Sequence, residues 1–518
     1  MEQITFETTR SGETGASIGL VRIHSSYNPS LEAERFLEAR LEEIRPRAVV
    51  IIIGAGLGYL DRELKKKRPE SEIIAIHLEE KLYHRRIDNH SIPDSVKRWH
   101  PGMMKTIEEF LFESLSETAI AGLKIIEWPA SVKVRPQQAR QSTEALAMVI
   151  RRYSGNISTT AAFGRKWISN SLRNYLNLNR VIHPVISTDP VVLAAAGPSL
   201  EKSLTVLAEY RNNYQLWALP SSLPALSAAG LQPDMIITAD PGYWARLHIR
   251  NFPETVPVAM PLSAAPGLRE STATLILPQG IPGENFLLRN GKWPGLQVQA
   301  MGTVAATAVE MWKQLTSGPL ILTGLDLCWY DLRSHTRPHT FDGWLAAGSR
   351  RNNPMNNILW ERAMKMAPKK SGVYRTGPAM QTYTDWFRRN IPSGRVFRLT
   401  PTDAEKSPVE IHGIPDYGPE IFRKLPMKEF TSTITTTTSP ENRQQRQMNV
   451  KHLLSHWKIL LRNADKGMDP ETEELLYTLD PGGVLELKGC DRIQYNEIRK
   501  TQLKKVRSII NRMDALYG

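Results

Sequence analysis

Short apolar runs separated by helical patterns predict the architecture of this chain. Near its start, the strand-like run Arg47–Ile53 is followed by a glycine-rich turn, Gly54–Gly58, and a second strand-like run, Glu72–Leu78. This order is typical of a β-turn-α-β unit. Further short apolar runs alternate with helical patterns downstream, which favours a second α/β region with a largely parallel sheet. These runs are Val191–Ala196, Met235–Asp240, Val258–Leu262, Thr274–Pro278 and Pro319–Asp326.

Helical patterns predominate in the middle of the chain, at Ser142–Asn179, and again in the last 70 or so residues. Residues 431–440, TSTITTTTSP, have a low complexity that is typical of a linker. The sequence therefore predicts an α/β protein with a helical C-terminal domain. Its expected parts are a Rossmann-like N-terminal domain (1–140), a central α/β domain (141–430), the linker (431–440) and the helical domain (441–518).

Composition narrows the class of protein. Of 518 residues, 41% are hydrophobic and 23% are charged, as in soluble globular proteins. No apolar run approaches the roughly 20 residues that cross a bilayer, so no membrane span is expected. The start of the chain lacks the pattern of a secretory signal, and two cysteines, Cys328 and Cys490, exclude a disulfide framework. We therefore expect a cytoplasmic protein.

The chain carries 66 Lys and Arg against 53 Asp and Glu, a net charge of +13. Such a surplus attracts nucleic acid, anionic lipid, nucleotide-sugars or an acidic protein. Residues 145–188 hold six basic residues and no acidic one, although a solvated helix face would have the same composition. Because no nucleic-acid-binding module is recognisable, we do not expect a nucleic-acid partner.

The turn Gly197-Pro198-Ser199-Leu200 follows the apolar run that begins at Val191. Gly197 allows a close backbone approach, and Ser199 is placed to cap the helix that begins at Leu200. Free amides at a helix N-terminus bind phosphate, so this turn is a candidate phosphate site. A tight turn without a ligand remains the alternative.

Two carboxylates, Asp240 and Asp326, each close an apolar run. Ligands of open α/β sheets bind at the carboxyl ends of the strands, so both residues could face the same crevice as Gly197. The alternative is that each caps the turn that follows it. Gly302 and Thr303 precede another helix, whose small residues bring it close either to the sheet or to a ligand.

His335 and His339 lie in the polar segment SHTRPHTFD. Pro338 disfavours a helix between them, and no Cys or Glu nearby completes a zinc site, so we expect no metal here. A histidine beside a ligand crevice is suited to act as a general base near neutral pH.

The glycine-rich turn Gly54–Gly58 is similar to nucleotide-binding turns, with Glu79 and Glu80 just after the next strand. Tyr59 stands where a third glycine would complete the dinucleotide pattern. The unit is either a ligand site, as in a methyltransferase, or a scaffold, and the missing glycine favours the scaffold.

Several segments together resemble the Maf (motility-associated factor) flagellin glycosyltransferases. The resemblance extends over Val21–Asp416. It is carried by the order in which the segments occur rather than by any single motif. They are Ile23–Leu37, Ile51–Leu60, the GPSL turn at 197–200, the strand ending at Asp240, GTVAATA (302–308), LTGLDLCWY (322–330) followed by His335, Arg375–Ile391 and Ile411–Asp416.

This resemblance implies a sialyltransferase-like central domain that uses a CMP-activated nonulosonic acid, such as pseudaminic or legionaminic acid, as co-substrate. It implies no tightly bound cofactor and no metal. Flagellin Ser or Thr is the implied acceptor, with the flagellin export chaperone as a further candidate partner. His335 is then the first candidate for the base and His339 the second. The candidate donor or substrate contacts are Gly197, Pro198, Ser199, Leu200, Asp240, Gly302, Thr303, Asp326, Asn170 and Asn174.

Two other functions remain open. The central domain also resembles, more distantly, archaeal pterin diphosphokinases. If this chain had that function, Asp240 and Asp326 would bind Mg²⁺ during diphosphate transfer from ATP. A non-catalytic flagellin-binding scaffold with a degenerate transferase fold is the non-enzyme alternative.

Overall fold

The computed structural model describes residues 3–45, 47–86, 95–250, 253–290, 293–330, 332–368, 373–392, 394–402, 406–407, 409–411, 413–425, 435–464, 467–490 and 492–518. The chain divides into two compact units. An N-terminal unit combines Met1–Gly164 with Leu460–Ile510, and a central unit combines Arg165–Ile459 with Asn511–Gly518. The chain passes between the units after residues 164, 459 and 510, whereas the sequence predicted domain boundaries near residues 140 and 440.

Among its described residues, the N-terminal unit begins with seven strands and six α-helices, the last of which continues into the central unit. The strands are β1 (Ile4–Thr8), β2 (Thr14–Ile18), β3 (Val21–Arg22), β4 (Val49–Ile53), β5 (Glu72–Ile76), β6 (Val96–Trp99) and β7 (Leu123–Glu127). The helices are α1 (Pro29–Glu38), α2 (Tyr59–Lys67), α3 (Glu80–His84), α4 (Ile107–Ser114), α5 (Pro129–Val134) and α6 (Pro136–Asn177).

The N-terminal unit contains a four-stranded parallel sheet in the order β6-β5-β4-β7. Strand β4 is fully buried, as its apolar sequence VVIII predicts for a strand covered on both faces. The predicted β-turn-α-β unit is confirmed, because β4, α2 and β5 follow one another across the turn Gly54–Gly58. β1, β2 and β3 form a separate antiparallel sheet.

In the part of the central unit that the structure describes, thirteen strands and nine α-helices follow. The strands are β8 (Arg180–His183), β9 (Val191–Ala194), β10 (Gln215–Ala218), β11 (Met235–Ile237), β12 (Val258–Met260), β13 (Ala273–Ile276), β14 (Leu320–Thr323), β15 (Trp329–Tyr330), β16 (Ala367–Pro368), β17 (Tyr374–Thr376), β18 (Val396–Leu399), β19 (Asp416–Tyr417) and β20 (Thr435–Thr438). The helices are α7 (Leu200–Glu209), α8 (Leu223–Ala228), α9 (Tyr243–Ile249), α10 (Glu284–Asn290), α11 (Val304–Leu315), α12 (Asp342–Ala347), α13 (Met355–Met364), α14 (Pro378–Asn390) and α15 (Glu420–Arg423).

A ten-stranded sheet organises the described part of the central unit, in the order β19-β18-β14-β9-β10-β11-β12-β13-β8-β20. Nine strands run parallel, and β20 joins the β8 edge antiparallel. The predicted parallel sheet is therefore confirmed. Alternate residues of β9 enter two hydrophobic clusters, Val191 and Leu193 one and Val192 and Ala194 the other, because helices cover both faces of the sheet.

The C-terminal region is helical, as expected, with α16 (Arg443–Asn463), α17 (Pro470–Leu479), α18 (Pro481–Gly489) and α19 (Arg492–Tyr517). Residues 460–510 belong to the N-terminal unit, so these helices do not form a compact unit of their own. The segment 431–440, predicted to be a linker, contains a strand. Residues 431–434 lie outside the described residues, while Thr435–Thr438 pair with β8, since threonine suits an extended edge strand.

Both cysteines, Cys328 and Cys490, are free thiols. In the part of the chain that the structure describes, no helix has both the length and the apolar character that crossing a bilayer requires.

Glu441 is the acceptor of a buried hydrogen-bond network beside α6 and α16. Its carboxylate accepts from the Tyr175 hydroxyl, from Trp293 Nε1 at 3.1 Å and from Asn449 Nδ2 at 2.8 Å. Tyr175 is fully buried, and burial together with Glu441 raises the pKa of its hydroxyl. Because the Tyr175 and Trp293 donors are buried, their hydrogen bonds depend on the carboxylate.

We expect Glu441→Ala to lower the free energy of unfolding by about 1–3 kcal/mol, because three donors lose their acceptor. Urea denaturation followed by circular dichroism measures the change. Lys451→Ala, an exposed position on α16, is the control and should shift the free energy of unfolding by less than about 0.5 kcal/mol. Equal stability of the two variants would contradict the role assigned to Glu441.

Candidate active site

The candidate site is a cavity of about 670 Å³ in the central unit. Its walls come from α9, residues 333–341, α12, α13 and the two residues Lys365 and Met366. Cavities of this size fit small molecules and cofactors. Its lining includes histidines (His248, His335 and His339), aromatic residues (Trp244, Trp329, Phe341 and Trp344), basic residues (Arg333, Arg337, Arg362 and Lys365) and one carboxylate (Asp342).

The segment 333–339, here called the histidine loop, is attached to the carboxyl end of β9 and to α7. The Thr336 N–H donates to the Ala196 carbonyl at 2.7 Å, and Thr336 is fully buried. Glu201, in the first turn of α7, accepts from Arg333 Nη1 at 2.7 Å and from the Arg337 N–H at 2.6 Å. One carboxylate therefore holds the loop on both sides of His335.

Sequence reasoning missed Glu201, although it directly follows the GPSL turn. An acidic residue in the first turn of a helix is common, because it interacts favourably with the helix dipole. Nothing in the local pattern indicated that its partners lie more than 130 residues downstream.

The predicted histidines are brought together, and a third one joins them. The rings of His335 and His339 stack with centroids 4.7 Å apart, and the ring of His248 lies 5.2 Å from that of His339. Nδ1 of His335 is 2.8 Å from Ser334 Oγ, and Nδ1 of His248 is 2.8 Å from Thr340 Oγ1. Nε2 of His339 is buried without a hydrogen-bond partner among the described residues.

The surroundings keep these histidines neutral at physiological pH. Burial is the main cause that lowers the pKa of His335, His339 and His248, and the charge of another histidine in the cluster is the second. Each pKa is lowered to about 4. His335 nevertheless stays accessible to solvent from the cavity. A neutral imidazole in a cavity can accept a proton, so both predicted base candidates have the required protonation state at pH 7.

The cavity also carries positive charge. Arg337, Arg362 and Lys365 line it, and within the described residues none of the three side chains has an ion-pair partner. Arg333 differs, since Glu201 neutralises it. Unpaired cations around a concave site favour an anionic ligand.

The GPSL turn has a different role from the one predicted. Gly197 N–H donates to the Gly324 carbonyl at 2.7 Å, Ser199 N–H to Asp326 Oδ2 at 2.8 Å, and Leu200 N–H to the Gly197 carbonyl at 3.1 Å. Ser199 does not cap α7 as expected, because its hydroxyl donates to Asp326 instead. The amides expected to bind phosphate thus already have partners inside the protein.

Asp326 occupies the space at this turn. It is 4% exposed, and a Cβ on Gly197 would lie 2.5 Å from its Oδ2 and from the Gly324 carbonyl oxygen. Burial raises the pKa of Asp326, while the Ser199 hydrogen bonds, Arg398 and Lys202 oppose that increase. Glycine is therefore required at 197 by the approach of this carboxylate rather than by a ligand.

Asp240 is exposed, and its Oδ1 accepts from the Gly242 N–H at 2.6 Å. This is the turn-capping alternative considered for it. Asn170 Nδ2 donates to the carbonyls of Pro241 and Ser263, and Asn174 Nδ2 donates to those of Leu262 and Ala264. Both asparagines thus hold the backbone that follows β11 and β12, and neither they nor Asp240 lines the cavity.

Gly302 and Thr303 also lie outside the cavity lining. Thr303 precedes α11 without a side-chain capping bond, and α11 buries Ala305, Ala306 and Ala308. The small residues thus serve close packing of this helix, which was one of the two alternatives.

The glycine-rich turn of the N-terminal unit is filled by the protein itself. His24 Nε2 accepts from the Leu57 N–H at 3.0 Å, and a Cβ on Gly56 would lie 2.5 Å from that nitrogen. A Cβ on Gly54 would lie 2.7 Å from Cβ of Ser131, and Glu79 forms an ion pair with Arg135. The cavity beside the turn measures only about 10 Å³, room for one water. This geometry favours the scaffold interpretation.

Comparison with known proteins identifies one family model, two related proteins and one solved structure. A family model described as 6-hydroxymethylpterin diphosphokinase MptE-like matches residues 166–331. An uncharacterized protein of Treponema pallidum (strain Nichols) is 25% identical over 384 residues, which are 72% of this chain and 82% of that protein. A second uncharacterized protein of that strain is 30% identical over 119 residues, 22% of this chain and 55% of that protein.

A solved structure of a Maf glycosyltransferase from Magnetospirillum magneticum AMB-1 superposes with a TM-score of 0.62, covering 99% of this chain and 92% of the other, at 12% identity. The chain has the fold of this Maf glycosyltransferase. The Maf fold thus covers both units and includes the segment matched by the MptE-like model. At 12% identity the similarity concerns the fold, and the site has to be argued from its own residues.

We expect Glu201→Ala to loosen the histidine loop without unfolding the central unit, because Arg333 and the Arg337 amide lose their shared acceptor. Hydrogen-deuterium exchange should become faster at residues 333–339 and stay unchanged in β9 and β14. Glu209→Ala, an exposed position at the other end of α7, is the matched control. Unchanged exchange in the loop of Glu201→Ala would contradict this attachment.

Proposed function

We propose that this chain is a protein O-glycosyltransferase that transfers a nonulosonic acid from a CMP-linked donor to Ser or Thr of flagellin. The observation that carries the proposal is the combination, in one cavity, of neutral histidines with three cations that have no ion-pair partner among the described residues. The likeness to a Maf glycosyltransferase over the whole chain supports the transferase class. The donor and the acceptor follow from the resemblance in sequence.

The basic residues suit the charge of such a donor. Arg337, Arg362 and Lys365 would attract the phosphate of a nucleotide-linked sugar, which carries negative charge. When the bond between the anomeric carbon and the phosphate oxygen breaks, additional charge develops on that oxygen. Cations fixed around the cavity would stabilise this charge most strongly as it develops.

His335 is the proposed base. When Ser334 Oγ accepts the Nδ1 proton of His335, Nε2 keeps its lone pair and can take the proton of the acceptor hydroxyl. The hydroxyl oxygen then bonds to the anomeric carbon while the nucleotide leaves with the bonding electrons. His339, stacked on His335, is the second candidate.

The remaining expectations belong to the same proposal. The enzyme acts in the cytoplasm, where flagellin, with its export chaperone as a further partner, would meet the donor. It needs no metal and no tightly bound cofactor.

Diphosphokinase activity is the second candidate, because the MptE-like family model matches residues 166–331. It would require carboxylates around Mg²⁺. Asp326 is buried against Ser199, and Asp240 follows β11, three strand spacings or roughly 14 Å from β14. Within the described ranges, the residues grouped closely enough to offer three metal-ligand atoms are Glu80, His84 and His100 of the N-terminal unit. The geometry of Asp240 and Asp326 therefore favours the glycosyltransferase.

We expect flagellin co-expressed with this chain and a complete nonulosonate pathway to gain mass in whole sugar units. His335→Ala should abolish that gain, because the acceptor proton loses its base. Intact mass spectrometry of flagellin measures it. His452→Ala, an exposed histidine on α16 outside the cavity, is the control and should glycosylate normally.

Other results would redirect the assignment. A full gain of mass with His335→Ala but not with His339→Ala would identify His339 as the base. No gain with the wild-type chain, given verified donor and matched flagellin, would favour the scaffold, or the diphosphokinase if ATP and Mg²⁺ then support diphosphate transfer.

The pH dependence of kcat/KM should reflect the lowered pKa of His335, about 4 instead of 6.5. The base works when neutral, so the rate should stay level from pH 8 to about 5 and fall as the pH drops through 4. Donor turnover measured across this range, with circular dichroism at each pH to confirm folding, tests this. A midpoint near 6.5 would contradict a desolvated base.

A further inference from the structure

Trp244, Phe341 and Trp344 form one side of the cavity, here called the aromatic wall. Trp244 packs edge-to-face on Trp344 at 5.2 Å and on Phe341 at 5.5 Å between ring centroids. Both tryptophans are nonetheless 54% exposed. Tryptophan is mostly buried in folded proteins, so two exposed indoles inside one cavity point to a ligand.

The geometry of the wall is fixed by its own contacts. Edge-to-face packing is a favoured arrangement of aromatic rings, and it restricts how each indole can turn. Phe341 also contacts His248 at 4.8 Å and His339 at 5.3 Å, so the wall is anchored to the histidine cluster. Rings that are both ordered and exposed are suited to stacking on a flat group.

The wall adjoins both the proposed base and the cations. His339 lies between Phe341 and His335, with ring centroids 5.3 Å and 4.7 Å away. Arg337, Arg362 and Lys365 line the same cavity. A ligand that covers the wall can therefore place an anionic group among the cations.

We propose that the aromatic wall binds the nucleobase of the donor by stacking. A nucleobase is planar and has a π-face, as the indoles do, and its attached phosphate needs the cations that the same cavity offers. A sugar ring lacks the π-face. The assignment of the aromatic wall to a nucleobase rests on these contacts. Only the choice of CMP as the nucleotide rests on the proposed function.

Binding of CMP to the full-length chain, by isothermal titration calorimetry and tryptophan fluorescence, tests the subsite. Trp244→Ala and Trp344→Ala should each raise the Kd by roughly tenfold, the size of one base stack. Trp360→Ala, an indole that is 53% exposed on α13 but not part of the cavity lining, should bind CMP like the wild type. Trp244→Phe and Trp344→Phe should keep most of the affinity, which also controls for folding.

Ribose 5-phosphate separates stacking from a general change in cavity shape. It has the phosphate but no base, so Trp244→Ala and Trp344→Ala should leave its Kd unchanged. Equal losses for CMP and ribose 5-phosphate would overturn the proposal, as would unchanged CMP affinity in both alanine variants. A loss seen with the intact CMP-sugar but not with CMP would assign the wall to the sugar and also overturn it.

The same titrations distinguish failure of this subsite from failure of the proposed function. If the wild type binds another nucleotide instead of CMP, and the alanine variants lose that affinity, the wall is a nucleobase subsite and the assumed donor is wrong. If flagellin is glycosylated while both alanine variants bind CMP like the wild type, the transferase assignment holds and the subsite is wrong.

Discussion

The buried carboxylate of Asp326 joins the ends of two central strands, and the geometry of the candidate site depends on it. Its carboxylate accepts hydrogen bonds from both the amide and the hydroxyl of Ser199. These two bonds fix the start of α7 against the end of β14. α7 in turn carries Glu201, and Glu201 holds the histidine loop. A buried carboxylate without partners would be strongly destabilising, so this position tolerates little variation.

The cavity combines two properties that usually oppose each other. Its apolar walls desolvate the histidines and keep them neutral, while Arg337, Arg362 and Lys365 supply positive charge. Because arginine and lysine stay charged where histidine does not, the two groups have separate tasks. The cations can attract an anionic donor while the imidazoles remain able to accept a proton.

The N-terminal unit shows how a nucleotide-binding pattern can serve as a scaffold. Its strand order places a crevice between β4 and β7, where dinucleotides bind in proteins of this topology. Trp128, 3% exposed, donates through Nε1 to the Ile23 carbonyl, and His24 fills the space beside Gly56. Burial lowers the pKa of His24 to about 3, as expected for an imidazole used for packing.

The amino-acid sequence by itself determined the α/β class, the parallel central sheet and the helical C-terminal region. Strands such as β4 and β14 can be predicted from their short apolar runs, because a strand covered on both faces needs apolar side chains at every position. β10, with the sequence QLWA, was missed because its first residue is polar and breaks the apolar run. The edge strand β20 was taken for a linker because repeated threonine suits both states.

The site was only partly predictable. His335 and His339 were identified from a polar, turn-prone segment near the end of a strand, but His248 lies on α9, almost 90 residues earlier, and its closeness to them is a tertiary fact. The same holds for Glu201 and the aromatic wall. Whether the Ser199 amide faces a ligand or a carboxylate was decided by Asp326, 127 residues away, because hydrogen bonding in a buried turn depends on which partner the fold delivers.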